Sequence, residues 1–170
     1  VRYPRLHAVV PTVSAVEEEV RTATANWPVP TTVIKNDDEK WDALSASEIA
    51  VVASGTATVE VARAGLPMVV TYQVNPVTAW LLRRMLRIPY VALVNVIANR
   101  EVLPELLQEN CNPKMLADSL IHLLQDPAAR ELQKRDVKEA LLQLGEGDEL
   151  PSRRAASAIL EFLEKREASS

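Results

Sequence analysis

Residues 49–67, Ile-Ala-Val-Val-Ala-Ser-Gly-Thr-Ala-Thr-Val-Glu-Val-Ala-Arg-Ala-Gly-Leu-Pro, constrain the fold more than any other stretch of this chain. Ile49 to Ala53 is a short, nearly continuous apolar run. Such a run suits a strand buried on both faces of a parallel sheet. Ser54, Gly55 and Thr56 then break the pattern with small residues. Val59 and Ala62, with Leu66 in the same register, follow at helical spacing, and Gly65 and Pro67 stop the helix. Strand, small-residue turn and helix in that order aim the free N–H groups of a helix's first turn beyond the sheet. Those groups and the helix dipole favour an anion, most often a phosphate. Gly55 has no Cβ, so a ligand can approach its backbone closely, and Ser54, Thr56 and Thr58 add hydroxyls.

The plain alternative is one more tight βα turn, of which any α/β protein has several. Glu60 has two readings as well. A capping box would need Ser or Thr at position 57, which is Ala. An exposed pair with Arg63 is one role for Glu60. Acceptance of hydrogen bonds from ribose hydroxyls, one turn into a phosphate-holding helix, is the other.

The rest of the chain alternates in the same way. Leu6–Pro11 and the β-branched Thr31–Ile34 read as strands, separated by a helix over Val13–Asn26 that has Glu17, Glu18 and Glu19 near its start. Asp37 or Asp38 can cap a helix running to about Ala46. Pro67–Tyr72 reads as a fourth strand, Pro76 opens a helix to about Leu86, and Tyr90–Val94 reads as a fifth strand. From Arg100 onward the pattern is helical. Asn112-Pro113 and Asp126-Pro127 open two helices, each with a capping residue followed by proline at the first helical position. Gly145 to Asp148 reads as a hinge, and Ser152–Lys165 as a last helix with Ala155, Ala156, Ile159, Leu160 and Leu163 on one stripe. Strands alternating with helices over short connections imply an α/β, Rossmann-like, doubly wound parallel sheet with extra helices at the C-terminus. Ligands bind such sheets beyond the carboxyl ends of the strands. On this reading Ser54-Gly55-Thr56, Gln73-Val74-Asn75 and Asn95 all lie there.

A chain of 170 residues, 48% hydrophobic and 25% charged, is an ordinary globular composition and long enough to bury a sizeable core. A net charge of −4 without a block of basic residues argues against nucleic acid as a partner. The single cysteine, Cys111, excludes an internal disulfide and fits a reducing compartment. No apolar run reaches membrane-spanning length and no signal peptide opens the chain. The chain begins at Val1, partway into a βα unit, which implies a fragment.

Three segments together carry a resemblance. They are Val52 to Glu60 (Val-Ala-Ser-Gly-Thr-Ala-Thr-Val-Glu), Gly65 to Tyr72 (Gly-Leu-Pro-Met-Val-Val-Thr-Tyr), and Pro89 to Gln108 (Pro-Tyr-Val-Ala-Leu-Val-Asn-Val-Ile-Ala-Asn-Arg-Glu-Val-Leu-Pro-Glu-Leu-Leu-Gln). In order and spacing, over roughly Leu6 to Leu163, the chain resembles the carboxyl-terminal half of lipid-A-disaccharide synthases. These are inverting glycosyltransferases with two Rossmann-like domains of the GT-B type. The Ser-Gly-Thr turn is shared with many nucleotide-sugar enzymes. The segment with Asn95, Arg100-Glu101 and Pro104-Glu105 is much more specific.

The resemblance implies transfer of 2,3-diacylglucosamine from UDP-2,3-diacylglucosamine to 2,3-diacylglucosamine 1-phosphate (lipid X), with release of UDP. It implies action in the cytoplasm, peripheral to the inner membrane of a Gram-negative bacterium, with no metal and no cofactor. Residues 1–144 would form the donor-binding domain, truncated at its start, and 145–170 a hinge and C-terminal helix. By position, Ser54, Gly55, Thr56, Ala57 and Thr58 would hold the donor diphosphate and Glu60 would reach the ribose. Asn95 matches an asparagine the family needs for activity, in donor contact, and Arg100 and Glu101 match residues of the same active-site loop. Helix N–H donors would stabilise the growing charge on the departing diphosphate. Two departures stand out. Val94 replaces the proline usual before that asparagine, and the family's amino-terminal domain and Gly-Ser-Arg loop are not in the chain. The piece alone should therefore bind UDP weakly and not catalyse.

Two other readings compete: half of a nucleotide-sugar epimerase, and a non-catalytic UDP-binding or interaction domain. The remaining reactive residues have structural readings. His7 and His122 lack partners at metal-ligand spacing, Cys111 sits in a loop before a helix, and Asn75-Pro76 reads as a helix cap. Trp80 to Arg87 reads as a helix packed on the sheet, with Arg83, Arg84 and Arg87 outward; contact with anionic lipid or the donor's acyl chains is the alternative. The terminal helix either closes its own domain or crosses to a second copy in a homodimer.

Overall fold

The computed structural model describes residues 3–75, 78, 90–144 and 151–167. All of the expected helix over 76–86 but residue 78, with its arginines, and the hinge at 145–148 lie outside them. The chain divides into two compact units, Val1–Glu48 and Ile49–Ser170.

In the first unit, strand β1 (Ala8–Pro11) pairs in parallel with β2 (Thr31–Ile34). A short 3-10 turn at Ser14–Val16 leads into helix α1 (Glu17–Thr24), which connects them. The acidic first turn suits the dipole, and Glu17 also pairs with Arg21 and Lys35. Helix α2 (Asp37–Ala46) follows β2. Its cap is Asn36, whose Oδ1 accepts from Asp38 N at 3.0 Å, rather than Asp37 or Asp38.

The second unit contains strands β3 (Ala50–Ala53), β4 (Met68–Tyr72) and β5 (Glu105–Leu107), parallel and in the order β3-β4-β5. Helix α3 (Thr56–Arg63) joins β3 to β4. It ends as its sequence requires: Gly65 takes a left-handed φ of 67°, Leu66 N donates to Val61 O, and Gly65 N donates to Ala62 O. This pair of bonds is the Schellman arrangement, with buried Leu66 and Val61 as its apolar contact. Helices α4 (Leu93–Ala98), α5 (Pro113–Gln125), α6 (Pro127–Gln143) and α7 (Pro151–Glu167) follow, with a short 3-10 turn at Gln108–Asn110 after β5. Asn112 caps α5 by accepting from Met115 N, and Asp126 caps α6 by accepting from Ala129 N, each with proline at the start.

Among the described residues every strand pair is parallel, with helices between the strands, the Rossmann-like α/β arrangement that the alternation implies. The core centres on β4, where Met68, Val69 and Val70 are completely buried. Val69, Leu106 and Leu123 form a cluster against which Ile49, Cys111, Leu116 and Leu120 pack. Val69, Leu106 and Leu123 each contribute about 1.5–3 kcal/mol by leaving water.

One strand was placed wrongly by pattern. Tyr90–Val94, expected as the fifth strand, is an extended approach followed by the first residues of α4. The fifth strand is Glu105–Leu107, inside a region expected to be helical. Its edge of β4 is completed at both ends by glutamine side chains. Ala50 N donates to Pro67 O and Ser54 N to Thr71 O, so odd-numbered β4 residues face β3 and even-numbered ones face β5. Met68 precedes the β5 pairing, and Gln133 of α6 fills the gap. Its Oε1 accepts from Met68 N at 2.7 Å and its Nε2 donates to Met68 O at 3.2 Å. Past the other end, the Gln108 amide, oriented with nitrogen toward Val74 O, makes the same pair of hydrogen bonds, donating to Val74 O and accepting from Val74 N, both at 3.1 Å.

Candidate functional site

The turn after β3 is built by glycine. Gly55 sits at φ 149° and ψ −157°, a region that residues with a Cβ rarely enter, and nothing lies within 4 Å of where a Cβ would stand. Backbone conformation, not crowding, therefore calls for glycine here, and the space above it is open. Gly55 is also the N-cap of α3, with no side chain capping it and no acidic residue in the first turn. The start of α3 thus keeps its positive end at the carboxyl end of a parallel strand. Gly55, Thr56 and Ala57 are exposed, and Ser54 and Glu60 are half-buried. Thr58 is buried, and its Oγ1 has no hydrogen-bond partner. The neighbouring segment, Gln73 to Asn75, leaves the same edge of the sheet after β4 and is held by Gln108.

Asn95, Arg100 and Glu101 form a second group around α4. Helices α3, α4 and α6 pack against one another, so both groups belong to one layer of the second unit. Asn95 lies in α4, fully buried, and not in a loop beyond a strand. Its Nδ2 donates to Leu103 O at 2.8 Å and to Glu105 Oε1 at 2.7 Å. Its Oδ1 accepts from Val102 N and Leu103 N, both at 2.8 Å. These four bonds use the full capacity of a carboxamide. The Glu105 carboxylate also accepts from Val91 N at 2.8 Å and Ala92 N at 2.9 Å.

The helix ends in a left-handed Asn99 at φ 50°, and Arg100 N donates back to Asn95 O. The Arg100 guanidinium reaches Asp136 of α6 at 2.8 Å, and Arg135 meets the other carboxylate oxygen at 3.2 Å. The hydrogen bond from Arg100 is the main reason that the Asp136 carboxyl is held below its ordinary value, and the same bond raises Arg100. Glu101 is exposed. Sequence reasoning did not single out Asp136, Gln133 or Gln108. Glu105 was visible only as part of the Pro104-Glu105 pair.

His7 is exposed and bonds Thr32 Oγ1 at 2.9 Å, and His122 is exposed on α5. Among the described residues no group of three or more His, Cys, Asp or Glu is placed to hold a metal ion. A shallow cleft of about 240 Å³ in the first unit lies among Thr24, Trp27, Thr31 and Val33. Its one cation, Arg21, is paired with Glu17.

Comparison with known proteins agrees with this architecture. The family described as lipid-A-disaccharide synthetase matches residues 1–160. The chain belongs to the lipid-A-disaccharide synthase family. Its similarity to the lipid-A-disaccharide synthase of Rhodospirillum centenum is 47% identity over 165 residues, 97% of this chain and 41% of the relative. The synthase of Paramagnetospirillum magneticum is 45% identical over 95% of the chain and 42% of its own length. That of Gluconobacter oxydans is 40% identical over 96% of the chain and 39% of its own. The chain thus spans about two-fifths of the curated relatives it matches. In this synthase-family domain, no helix among the described residues is long and apolar enough to cross a membrane.

Proposed function

We propose that this chain is the donor-binding part of a lipid-A-disaccharide synthase and that the start of α3 receives the diphosphate of UDP-2,3-diacylglucosamine. The observation that carries this reading is the uncapped first turn of α3, opened by Gly55 at the carboxyl end of β3. Backbone amides of Gly55, Thr56 and Ala57 and the hydroxyls of Ser54 and Thr56 face the diphosphate, Thr58 N donates to Gly55 O at 3.2 Å and closes the turn beneath them, and Glu60 serves the ribose. Arg100 and Glu101 belong to a loop on the neighbouring α4, and Asn95 supports that loop. In the complete reaction the 6-hydroxyl of lipid X attacks the anomeric carbon of the donor, the bond from that carbon to the diphosphate oxygen breaks, and UDP leaves. The attacking hydroxyl's proton passes to a base in the amino-terminal portion that the relatives carry. Preorganised N–H donors lower the barrier by stabilising the charge that grows on the leaving diphosphate.

The same reading has the enzyme in the cytoplasm, peripheral to the inner membrane. Residues 1–144 act as donor domain, and 145–170 as hinge and terminal helix. A homodimer through α7 is supported by its exposed stripe: Ile159, Leu160, Phe162 and Leu163 are 46–66% exposed. Calorimetric titration of the chain with UDP, UMP and uridine tests the site. Weak binding with UDP at least about tenfold tighter than UMP, and uridine weaker still, is expected from a diphosphate-reading helix terminus. Equal affinity for all three contradicts the reading. The chain alone is expected to form no disaccharide, and turnover of labelled donor by it would contradict the division of labour.

A further inference from the structure

Beneath the Arg100–Glu101 loop lies a densely connected polar cluster. Asn95 and Glu105 share six hydrogen bonds of 2.7–2.9 Å with each other and with the backbone of Val91, Ala92, Val102 and Leu103. The two side chains tie together the extended approach to α4, the helix itself, the loop that leaves it and the first residue of β5. Asn95 is 0% exposed, with both donors and both acceptor sites of its amide engaged within the chain. It has nothing left to offer a ligand.

We infer that Asn95 and Glu105 are positioning residues for nucleotide binding, acting on the donor through the backbones of 90–92 and 100–103 and touching it nowhere; this rests on the donor-site reading above. The chemistry of each position is specific. Three N–H groups converge on Glu105, from Val91, Ala92 and Asn95, and a carboxylate can accept all of them because it has acceptors on both oxygens. Glutamine there would turn its NH2 toward the Val91 N–H. At position 95, aspartate would set an oxygen against the Glu105 carboxylate and the Leu103 carbonyl. An apolar residue would take the partner from half-buried Val102 N and from Leu103 N and O, which are buried. The loop so held carries Arg100, whose own N–H is bound to Asn95 O and whose guanidinium is fixed by Asp136. Its setting therefore passes through Asn95 twice, by side chain and by main chain.

The test compares the chain with its Asn95→Ala, Glu105→Gln and double variants. UDP affinity is measured well below each Tm, and hydrogen exchange is followed at Val91, Ala92, Val102 and Leu103. Expected are slow exchange at those four amides in the unaltered chain and its loss in both single variants. UDP binding should weaken about tenfold in each single variant, with the double variant no more than about threefold below the weaker single. Additive losses overturn the inference, as does loss of UDP binding in Asn95→Ala with full binding in Glu105→Gln. A lower Tm with unchanged UDP affinity of the folded variants marks a merely structural cluster and overturns it too. Should Asn95→Ala fail to fold, Glu105→Gln decides alone. Failure of the unaltered chain to bind UDP removes the donor-site reading and this inference together, whereas the other contrary outcomes leave that reading standing.

Discussion

Replacing Gln133 by leucine isolates one device on which the second unit depends. Gln133 is 6% exposed and Met68 is 0% exposed, so neither Met68 backbone group can turn to water when the amide is removed. Because Ala50 N bonds Pro67 O, the Met68 N–H and C=O point away from β3, and β5 pairing begins only at Val70. Gln133 is thus the partner of both groups. Stranding one buried donor and one buried acceptor costs about 1–3 kcal/mol each, so Gln133→Leu should lose about 2–6 kcal/mol, since leucine matches the volume and opens little cavity. With a urea m value of ~2 kcal/mol per molar, the midpoint of the second unit's transition falls by about 1–3 M. Against a total stability of about 5–15 kcal/mol, a loss of that size removes a large share of what holds the unit folded. The assay is urea unfolding followed by circular dichroism, with exchange of the Met68 amide as the local probe. A midpoint within a few tenths of a molar of the original, with the Met68 amide still protected, would refute the argument that the side chain stands in for a strand.

Three other expectations follow from single observations. Gly55→Ala should cost about 1–3 kcal/mol by strain at φ 149° alone, since no atom lies near the new methyl group; unaltered thermal stability and UDP binding would show that the turn tolerates a Cβ. Asn112→Ala and Asp126→Ala each remove a side-chain cap and should each cost roughly 0.5–2 kcal/mol in urea unfolding. Asp136 has a folded pKa below its ordinary 3.8, so its contribution is complete above that value and fades as pH falls through the folded pKa. The stability advantage of the unaltered chain over Asp136→Asn should accordingly shrink between about pH 5 and pH 2, and an advantage independent of pH there would contradict the ion-pair account.

Where local chemistry decides, the sequence was readable. Gly65 and Pro67 stop α3, and Asn112-Pro113 and Asp126-Pro127 start α5 and α6, because caps and proline positions act within a few residues. The Ser54–Thr58 turn was readable for the same reason. Tyr90–Val94 was not. Its valines favour extended backbone, but the start of α4 is set by Glu105, which grips the amides of Val91 and Ala92 from more than ten positions away. The short strand Glu105–Leu107 has no alternating pattern and exists because Val70 to Tyr72 offer an edge. Gln133 and Asp136 look like solvent-facing residues of a charged helix, yet both are buried against partners far away in the chain. Asn95 could be picked out as important from its motif. Only its neighbours reveal that its amide is directed inward.

The reading as a whole turns on where a uridine nucleotide meets this domain. Amide shift mapping of the isotopically labelled chain during titration with UDP measures that directly. The largest changes should fall on Gly55, Thr56, Ala57 and Thr58, with smaller ones on Arg100 and Glu101. Shifts confined to other elements, or none at saturating UDP, would contradict the assignment of the start of α3 as the diphosphate site.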